Sequence, residues 1–390
     1  MKKTLLSVFL TATVLLATGC AESAKNFKSA KDWEAEHPNI LASYRDNAEM
    51  EETTYGGSVQ VDYLEKYPYL NDMYEGFGFA VEYLRARGHV YGMEDVINTE
   101  RPKPGASCLA CKTTEFLIHL EENGVEGNAT KFEDVASMDM ETISCYDCHR
   151  NEPGTINITR GHLETALEGI GYGFDNKELA CAQCHVEYYQ EPENKEVVMP
   201  SVNGLDPDSM LAYYDDIEYS DWIHPRTGSP LLKVQHPEWE TFQGSIHQGQ
   251  GLSCIDCHMP PETADDGSSF RSHHWTSPLK TIETSCLSCH STDTAESLTA
   301  RVVELQGGVE DVMNETGYLI VDLIDALEAA TNSGVNEDIL TKAREKHRQA
   351  QWYLDFVFVE NSEGFHNNAL TKSMLAKANT FAEEGLELLK

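Results

Sequence analysis

Residues 108–112 read Cys-Leu-Ala-Cys-Lys, and the Cys-x-x-Cys spacing of this stretch occurs four more times in the 390-residue chain. Histidine directly follows each later copy. In Cys-x-x-Cys-His the two thiols attach a c-type haem and the histidine binds its iron. Four such copies favour covalent haem over zinc, which uses the same residue types. The copies are Cys145-Tyr146-Asp147-Cys148-His149, Cys181-Ala182-Gln183-Cys184-His185, Cys254-Ile255-Asp256-Cys257-His258 and Cys286-Leu287-Ser288-Cys289-His290.

The cysteine count supports haem rather than disulfide bonds. Ten of the eleven cysteines belong to the five pairs, and the eleventh is Cys20. An exported chain often uses cysteines for disulfides. Here the pairing leaves none for that purpose.

Lys112 stands where the other four motifs have histidine. A thioredoxin-like interpretation of Cys108 and Cys111 fails because no βαβ pattern surrounds them. The four neighbouring haem motifs therefore predict a fifth haem here. A free lysine has a pKa near ~10.4, so Lys112 must lose its proton to bind iron, and a metal favours that loss. A haem with an amine on one face and an open second face is a substrate site.

The four haems at the Cys-x-x-Cys-His motifs are expected to relay electrons. Each then needs a second axial ligand, which is usually a histidine. Four of the fifteen histidines are proximal ligands, which leaves eleven for four positions. Spacing alone does not choose among them. The candidates are His89, His247, His273 and His366, with His274 as an alternative to His273. We interpret His119, His162 and His224 as surface residues.

The N-terminus has the pattern of an export signal. Met1-Lys2-Lys3 is basic, residues 5–18 are apolar and too short for a reliable membrane span, and 16–20 resemble a bacterial lipobox ending at Cys20. We therefore expect a signal peptide over 1–20 and a periplasmic or extracytoplasmic protein tethered by a lipid on Cys20. The alternative is ordinary cleavage nearby, for example after Ala24.

The chain is strongly acidic, with 65 Asp and Glu against 29 Lys and Arg and a net charge of −36. Phosphates would be repelled, so no nucleic acid is expected as a partner. A small ligand or a basic partner fits better, and solubility alone is the other explanation.

After His290 the apolar residues recur at helical spacing in three stripes, beginning near Val302, Ala343 and Leu370, with a break at Gly334. We predict a mainly α protein with a compact haem core, few short strands and long C-terminal helices. Residues 21–295 form the pentahaem catalytic region. Residues 296–390 are expected to cover the haem core, as one structural domain with 21–295. His347 is interpreted as a packed or interface residue rather than a ligand.

From about Arg87 to His366 the chain resembles the pentahaem cytochrome c nitrite reductases, which form ammonia. The most specific element is one Cys-x-x-Cys-Lys followed by four Cys-x-x-Cys-His. Three flanking stretches are also similar to the family's own, namely Cys184-His185-Val186-Glu187-Tyr188-Tyr189, Lys233-Val234-Gln235-His236-Pro237-Glu238 and Cys254-Ile255-Asp256-Cys257-His258-Met259-Pro260.

The resemblance implies site roles. Lys112 would bind the catalytic iron, with Arg101, Tyr188 and His236 around its open face; Arg87 and Arg85 are the alternatives to Arg101. Calcium would bind beside this site at Glu187 and Gln235 and at the backbone carbonyls of Tyr188 and Lys233, because calcium prefers oxygen donors. The distal partners would be His273 for His149, His89 for His185, His366 for His258 and His247 for His290.

The implied activity is the six-electron reduction of nitrite to ammonium. The implied electron donor is a membrane-anchored multihaem quinol dehydrogenase or a soluble cytochrome. The implied assembly is a homodimer with its interface in residues 296–390. Two alternatives are a related multihaem oxidoreductase acting on hydroxylamine or sulfite, and a pure multihaem electron carrier. Lys112 argues against the carrier, because a carrier needs no open iron.

Overall fold

The computed structural model describes residues 23–171, 173 and 176–390, so the predicted signal peptide and Cys20 lie outside the described residues. Short helices dominate the first 290 residues, and three long helices follow. The α-helices are α1 Pro38–Arg45, α2 Tyr63–Lys66, α3 Tyr69–Met73, α4 Gly92–Asn98, α5 Glu115–Asn123, α6 Phe132–Val135, α7 Cys145–His149, α8 Gly161–Ile170, α9 Asn176–Ala182, α10 Pro207–Asp216, α11 Glu238–Phe242, α12 Ile246–Gly249, α13 Cys254–His258, α14 Ile282–Ser285, α15 Ala295–Ser333, α16 Glu337–Phe358 and α17 Asn368–Leu388.

Single 3₁₀ turns connect many of these helices, at Ala24–Asn26, Ala30–Trp33, Asp46–Ala48, Gly78–Ala80, His89–Tyr91, Ala106–Leu109, Val125–Ala129 and Pro278–Lys280. In the described part of the chain the strands form three antiparallel two-stranded hairpins: β1 Tyr189–Gln190 with β2 Val197–Val198, β3 Trp222–Ile223 with β4 Pro230–Leu231, and β5 Pro261–Thr263 with β6 Ser269–Arg271. The prediction of a mainly α fold with few short strands is confirmed.

The three predicted C-terminal stripes are the helices α15, α16 and α17. Thr294 caps the start of α15 through its side chain, and Gly334 ends the helix in the left-handed conformation at φ 78°. That conformation is easy only for glycine, which explains the break at Gly334. Each helix buries one apolar face in a shared core, to which Leu323, Leu354 and Leu375 belong.

The same core extends into the first half of the chain. Tyr69 of α3 packs so closely on α15 that a Cβ at Gly317 would lie 2.6 Å from its ring. The Tyr83 ring contacts the Phe358 ring, with centroids 5.6 Å apart. The long helices therefore pack directly on the segment that leads to the first haem motif.

Two histidines from the sequence analysis lie in this core. His347 is fully buried, as predicted for a packed residue. His224 is also fully buried, so its interpretation as a surface residue was wrong. Its Nε2 lies 2.8 Å from the carbonyl of Asp72, and its ring packs 5.5 Å from that of His347. The short β3–β4 hairpin turns His224 inward, which its local sequence does not reveal.

No helix in the described part of the chain is long and apolar enough to cross a membrane.

Candidate active site

One internal cavity connects the five Cys-x-x-Cys motifs. Its volume is about 2480 Å³, well above the roughly 300–1,000 Å³ of an ordinary ligand pocket. Every motif cysteine, Lys112 and the four motif histidines line it. A cavity of this size with thiols and imidazoles along its wall fits several haems packed close together.

Two of the motifs are single helical turns with matching caps. In α7 the backbone N–H of Ser144 donates to the carboxylate of Asp147 at 2.8 Å, and in α13 Ser253 donates to Asp256 at 2.9 Å. An acidic residue at the third helical position satisfies an N–H group that the helix start leaves free. Because residues three and four apart share one helix face, both cysteines and the histidine of the motif lie on the same side.

Each motif histidine faces a second imidazole across the cavity. Two imidazoles that bind one metal from opposite sides, with bonds of roughly 2.0–2.1 Å, have ring centres about 6.4 Å apart. The four observed separations match this value, so each pair has room for one iron. The ring centres are 6.3 Å apart for His149 and His273, 6.0 Å for His185 and His89, 6.3 Å for His258 and His366, and 6.5 Å for His290 and His247.

The structure thus brings together the four pairs that the resemblance implied. It also separates two neighbours that the sequence could not, because His273 lines the cavity and His274 does not. The paired residues are far apart in the chain, so only tertiary structure can bring them together.

Several of these rings are held by their Nδ1 atoms. A carbonyl accepts from Nδ1 of His149 (Thr155, 2.8 Å), of His258 (Thr276, 3.1 Å) and of His273 (Arg271, 3.0 Å). A carbonyl can only accept, so Nδ1 carries the hydrogen and Nε2 is left free. Metal-binding histidines in proteins are commonly oriented in this way.

Two other rings are held by buried carboxylates. Nδ1 of His366 lies 2.6 Å from Glu360, and Nδ1 of His185 lies 3.5 Å from Glu238. The sequence analysis missed both glutamates as functional residues. Glu238 is the last residue of the stretch 233–238 that is similar to the family, which was a weak indication of function. No motif near Glu360 indicated a functional role.

Lys112 lines the cavity together with Tyr188, His236 and Arg101. Tyr188 packs against the apolar cluster that surrounds Cys108 and Cys111. Burial raises the pKa of Tyr188 well above its usual range, so its hydroxyl keeps its proton at neutral pH. Burial lowers the pKa of His236 to about 4, and the nearby charge of Lys112 acts in the same direction.

Of the three candidate arginines, Arg101 is the one without a carboxylate partner among the described residues. Its guanidinium lies 4.3 Å from the centre of the Phe79 ring, and its Nε donates to Thr99 at 3.2 Å. Arg87, in contrast, donates from Nε to Asp95 at 2.8 Å and lies 3.0 Å from Glu94.

Arg85 is mostly buried and also occupied. Its Nε donates to the carbonyl of Val59 at 2.9 Å, and its Nη2 lies 3.8 Å from Glu52. The positive charge available to an anion near Lys112 is therefore that of Arg101, whose electrostatic influence reaches Tyr188.

The proposed calcium ligands converge on one buried carboxylate. Glu187 is 1% exposed and accepts from the Tyr214 hydroxyl at 2.8 Å and from the Gln235 N–H at 2.6 Å. Burial raises the pKa of Glu187 to about 8, so the carboxylate lacks a full counter-charge. The side-chain amide nitrogen of Gln235 donates to the Lys233 carbonyl at 3.1 Å. If this amide were rotated by half a turn, its oxygen would lie beside the carbonyl oxygen, so that two oxygen donors would be adjacent.

This donor set fits a hard cation. Among the described residues, no three His, Cys, Asp or Glu side chains come together as a metal group by themselves. A cation here would thus need carbonyl and amide oxygens as well as the Glu187 carboxylate, which is the mixture that calcium prefers.

The Lys233 side chain points away from that donor set. Its Nζ lies 3.0 Å from Asp355 of α16 and donates to the Val234 carbonyl at 2.7 Å. The Tyr83 ring is also close, at 5.5 Å from Nζ. Asp355 accepts from the Val234 N–H at 2.8 Å, so this buried pair fixes the segment that carries the Lys233 carbonyl.

The family model described as Cytochrome c552 matches residues 29–390. The cytochrome c nitrite reductase subunit NrfA of Nitratidesulfovibrio vulgaris is 32% identical over 444 aligned residues, which cover 97% of this chain and 84% of that protein. A cytochrome c-552 of Parabacteroides distasonis is 30% identical and covers 89% of this chain and 75% of its own.

Among solved structures, the catalytic subunit (NrfA) of cytochrome c nitrite reductase from Desulfovibrio desulfuricans is similar, with a TM-score of 0.87 and 29% identity. The match covers 95% of this chain and 87% of that one, and two calcium sites are described in that structure.

Proposed function

The chain belongs to the cytochrome c552 family, and from that premise we propose that it is an ammonia-forming cytochrome c nitrite reductase. The reaction reduces nitrite to ammonium with six electrons and with protons from solvent, and both oxygen atoms leave as water. Its site is the haem that Cys108 and Cys111 would hold. One observation carries the proposal. Four motif histidines each face a second imidazole, whereas the fifth motif offers Lys112, whose charge acts on His236. Tyr188 packs on the cluster around this motif, and the charge of Arg101 acts on Tyr188.

The ten motif cysteines would hold five c-type haems through thioether bonds. The haems supply the irons that bind nitrite and carry electrons. The four imidazole pairs would each hold one iron, which suits electron relay, while Lys112 would hold the fifth and leave room for substrate. Nitrite reduction is therefore assigned to the first motif alone.

The surrounding side chains suit an anion that takes up protons as it is reduced. Arg101 provides a fixed positive charge for nitrite inside a strongly acidic chain. The neutral His236 ring and the protonated Tyr188 hydroxyl would provide hydrogen-bond donors beside nitrite and relay protons from solvent to it. The apolar cluster around Leu109 and Phe116 excludes water and strengthens these interactions.

Calcium is part of the proposal, at Glu187, Gln235 and the carbonyls of Tyr188 and Lys233. Glu187 and Tyr188 are consecutive, so a cation on Glu187 also fixes the backbone that carries Tyr188. The ion would balance the buried Glu187 carboxylate and hold Gln235 next to His236.

The assembly is proposed as one domain that forms a homodimer through residues 296–390. The shared core of α15, α16 and α17 with residues 67–83 supports the single domain. Two exposed apolar side chains on the long helix α15, Val312 and Tyr318, suit an interface. Light scattering after gel filtration tests the dimer.

A periplasmic enzyme tethered by a lipid on Cys20 is proposed for localisation. Ser23 and Ala24 both donate to Glu121, at 2.6 and 2.7 Å, so these residues pack on the body of the protein. This packing favours cleavage upstream of Ser23 over cleavage after Ala24. The electron donor is a cytochrome, either a membrane-anchored multihaem quinol dehydrogenase or a soluble protein.

The test is the electron balance of nitrite reduction. Purified enzyme with a reduced dye should oxidise six equivalents of dye per nitrite and return the nitrogen as ammonium. Hydroxylamine and sulfite serve as comparison substrates. Nitric oxide as the accumulating product, or dye oxidation only with sulfite, would refute the assignment.

A further inference from the structure

Arg160 is 2% exposed and lies immediately before α8, outside every haem motif, yet it contacts the first two motifs and reaches the third through Thr159. We propose that Arg160 is a positioning residue that fixes the backbone on both sides of Lys112 and holds it in register with the next two haems. This inference rests on the proposed function, in which the Lys112 haem is the catalytic one.

The guanidinium brackets Lys112. Its Nε donates to the carbonyl of Ala110 at 2.7 Å, and its Nη2 donates to the carbonyl of Thr113 at 3.4 Å. Ala110 comes two residues before Lys112 and Thr113 directly after it. One planar group therefore fixes the short segment that contains both Cys111 and the proposed iron ligand.

The same guanidinium reaches the second motif through a buried ion pair. Its Nη2 lies 2.6 Å from Oδ1 of Asp147, which is also 2% exposed. Oδ2 of Asp147 accepts from the Ser144 N–H at 2.8 Å and from the Thr114 hydroxyl at 3.0 Å. Asp147 thus ties the start of α7 back to the residue pair that follows Lys112.

Contact with the third motif runs through Thr159. Arg160 Nη1 donates to the Thr159 hydroxyl at 2.9 Å, and the Thr159 N–H donates to Oε1 of Gln183 at 3.0 Å. Gln183 lies between Cys181 and Cys184 and returns a bond from Nε2 to the Asp147 carbonyl at 2.7 Å. Hydrogen bonds therefore connect the first motif to the second and the second to the third.

Removing the positive charge of Arg160 should lower the reduction potential of the nearby haem in two ways. A positive charge in a low-dielectric interior disfavours the oxidised iron nearby, so its loss lowers the reduction potential. The loss also leaves the Asp147 carboxylate buried without its partner, which acts in the same direction. In addition, the Lys112 segment loses two of its anchors.

Arg271 provides a matched control. It makes the same kind of contacts around the fourth motif, with Nη1 donating to the Ile255 and Met259 carbonyls at 3.1 and 3.0 Å and Nη2 at 3.2 Å from Asp256. Its side chain is 43% exposed, however, and these contacts involve one motif with an ordinary histidine.

The experiment compares Arg160→Gln, Arg160→Lys and Arg271→Gln in the full holoenzyme. Haem content is measured by intact mass. The reduction potential and the electron paramagnetic resonance signal of the haem held at Cys108 and Cys111 report on the Lys112 site. We expect five haems in each variant. Arg160→Gln should lower the potential of the Lys112 haem and reduce kcat roughly ten- to hundredfold, with a smaller change in KM. Arg160→Lys should fall between it and the wild type.

Arg271→Gln should leave the potential and signal of the Lys112 haem unchanged. An unaltered potential and signal in Arg160→Gln would overturn the proposal. If the Arg160 variants accumulate no pentahaem protein, Thr159→Val replaces them. It keeps the Arg160 charge and removes the hydroxyl that accepts from Nη1, so the electron paramagnetic resonance signal of the Lys112 haem should change with little change in its potential. An unaltered signal would again contradict the proposal.

The spectroscopic measurement needs no nitrite, so the two proposals fail separately. A wild type that forms no ammonium but shows the Arg160 effect contradicts only the nitrite assignment. An active wild type without the Arg160 effect contradicts only the positioning role.

Discussion

The Nδ1 atom of His366 lies 2.6 Å from the carboxylate of Glu360, a residue that is 3% exposed. Glu360 also accepts from the hydroxyl of Ser362 at 2.6 Å, so its orientation is fixed. A carboxylate partner increases electron donation from a histidine to its metal and so favours the oxidised iron. The haem that His366 would share with His258 should therefore have a low potential.

Replacing Glu360 by glutamine should raise the potential of that one haem by tens of millivolts, since ~59 mV corresponds to a tenfold change for one electron. Spectropotentiometric titration of the five haems measures the shift. Glu304→Gln, at an exposed position of α15, is the control. An identical set of five potentials in Glu360→Gln and wild type would contradict the role given to Glu360.

Lys112→His should keep the covalent haem, because both cysteines remain, but should lower turnover of nitrite. Substitution of a residue that hydrogen-bonds to a metal ligand costs about 10–100-fold in activity. Replacement of the ligand itself should cost at least as much. Steady-state nitrite reduction with intact-mass analysis measures both properties. Lys131→His, at an exposed lysine, should behave as wild type. Wild-type turnover in Lys112→His would refute the special role of the lysine.

Removal of calcium should lower activity, and added calcium should restore it. Glu187→Gln loses the charge of the only carboxylate in the proposed ligand set, so we expect at least a roughly tenfold weaker affinity. Elemental analysis after dialysis and a calcium titration of activity measure this. Glu193→Gln, exposed and close in sequence, is the matched control. Metal-free wild-type enzyme with full activity would argue against the site.

Asp355→Ala should destabilise the protein by about 3–5 kcal/mol, because it leaves the Lys233 ammonium buried without its partner. The double change Lys233→Met with Asp355→Leu should cost less than Asp355→Ala alone, since it removes both charges. Guanidinium unfolding followed by tyrosine and tryptophan fluorescence gives the comparison. A double variant less stable than Asp355→Ala would show that the pair itself stabilises the fold.

The sequence predicted what depends on local patterns. Cys108 to His290 gave the haem motifs through spacing, and the three C-terminal helices followed from apolar periodicity and Gly334. The pairing of His149 with His273 came from the family resemblance, because nothing local connects residues so far apart.

The supporting residues could not be predicted for a related reason. Glu360, Asp355 and Arg160 are charged side chains that local sequence would place in solvent, and only the fold buries them against their partners. His224 was misjudged in the same way, because a two-residue strand and a hairpin decide its direction.

The central claim is that nitrite nitrogen becomes ammonium at the Lys112 haem. Nitrite labelled with ¹⁵N should be converted by the reduced wild-type enzyme to ¹⁵N-ammonium in full yield, without labelled nitric oxide or hydroxylamine. Lys112→His with five intact haems should form labelled ammonium much more slowly. Labelled nitric oxide as the product of the wild type, or equal ammonium formation by the two proteins, would contradict the account.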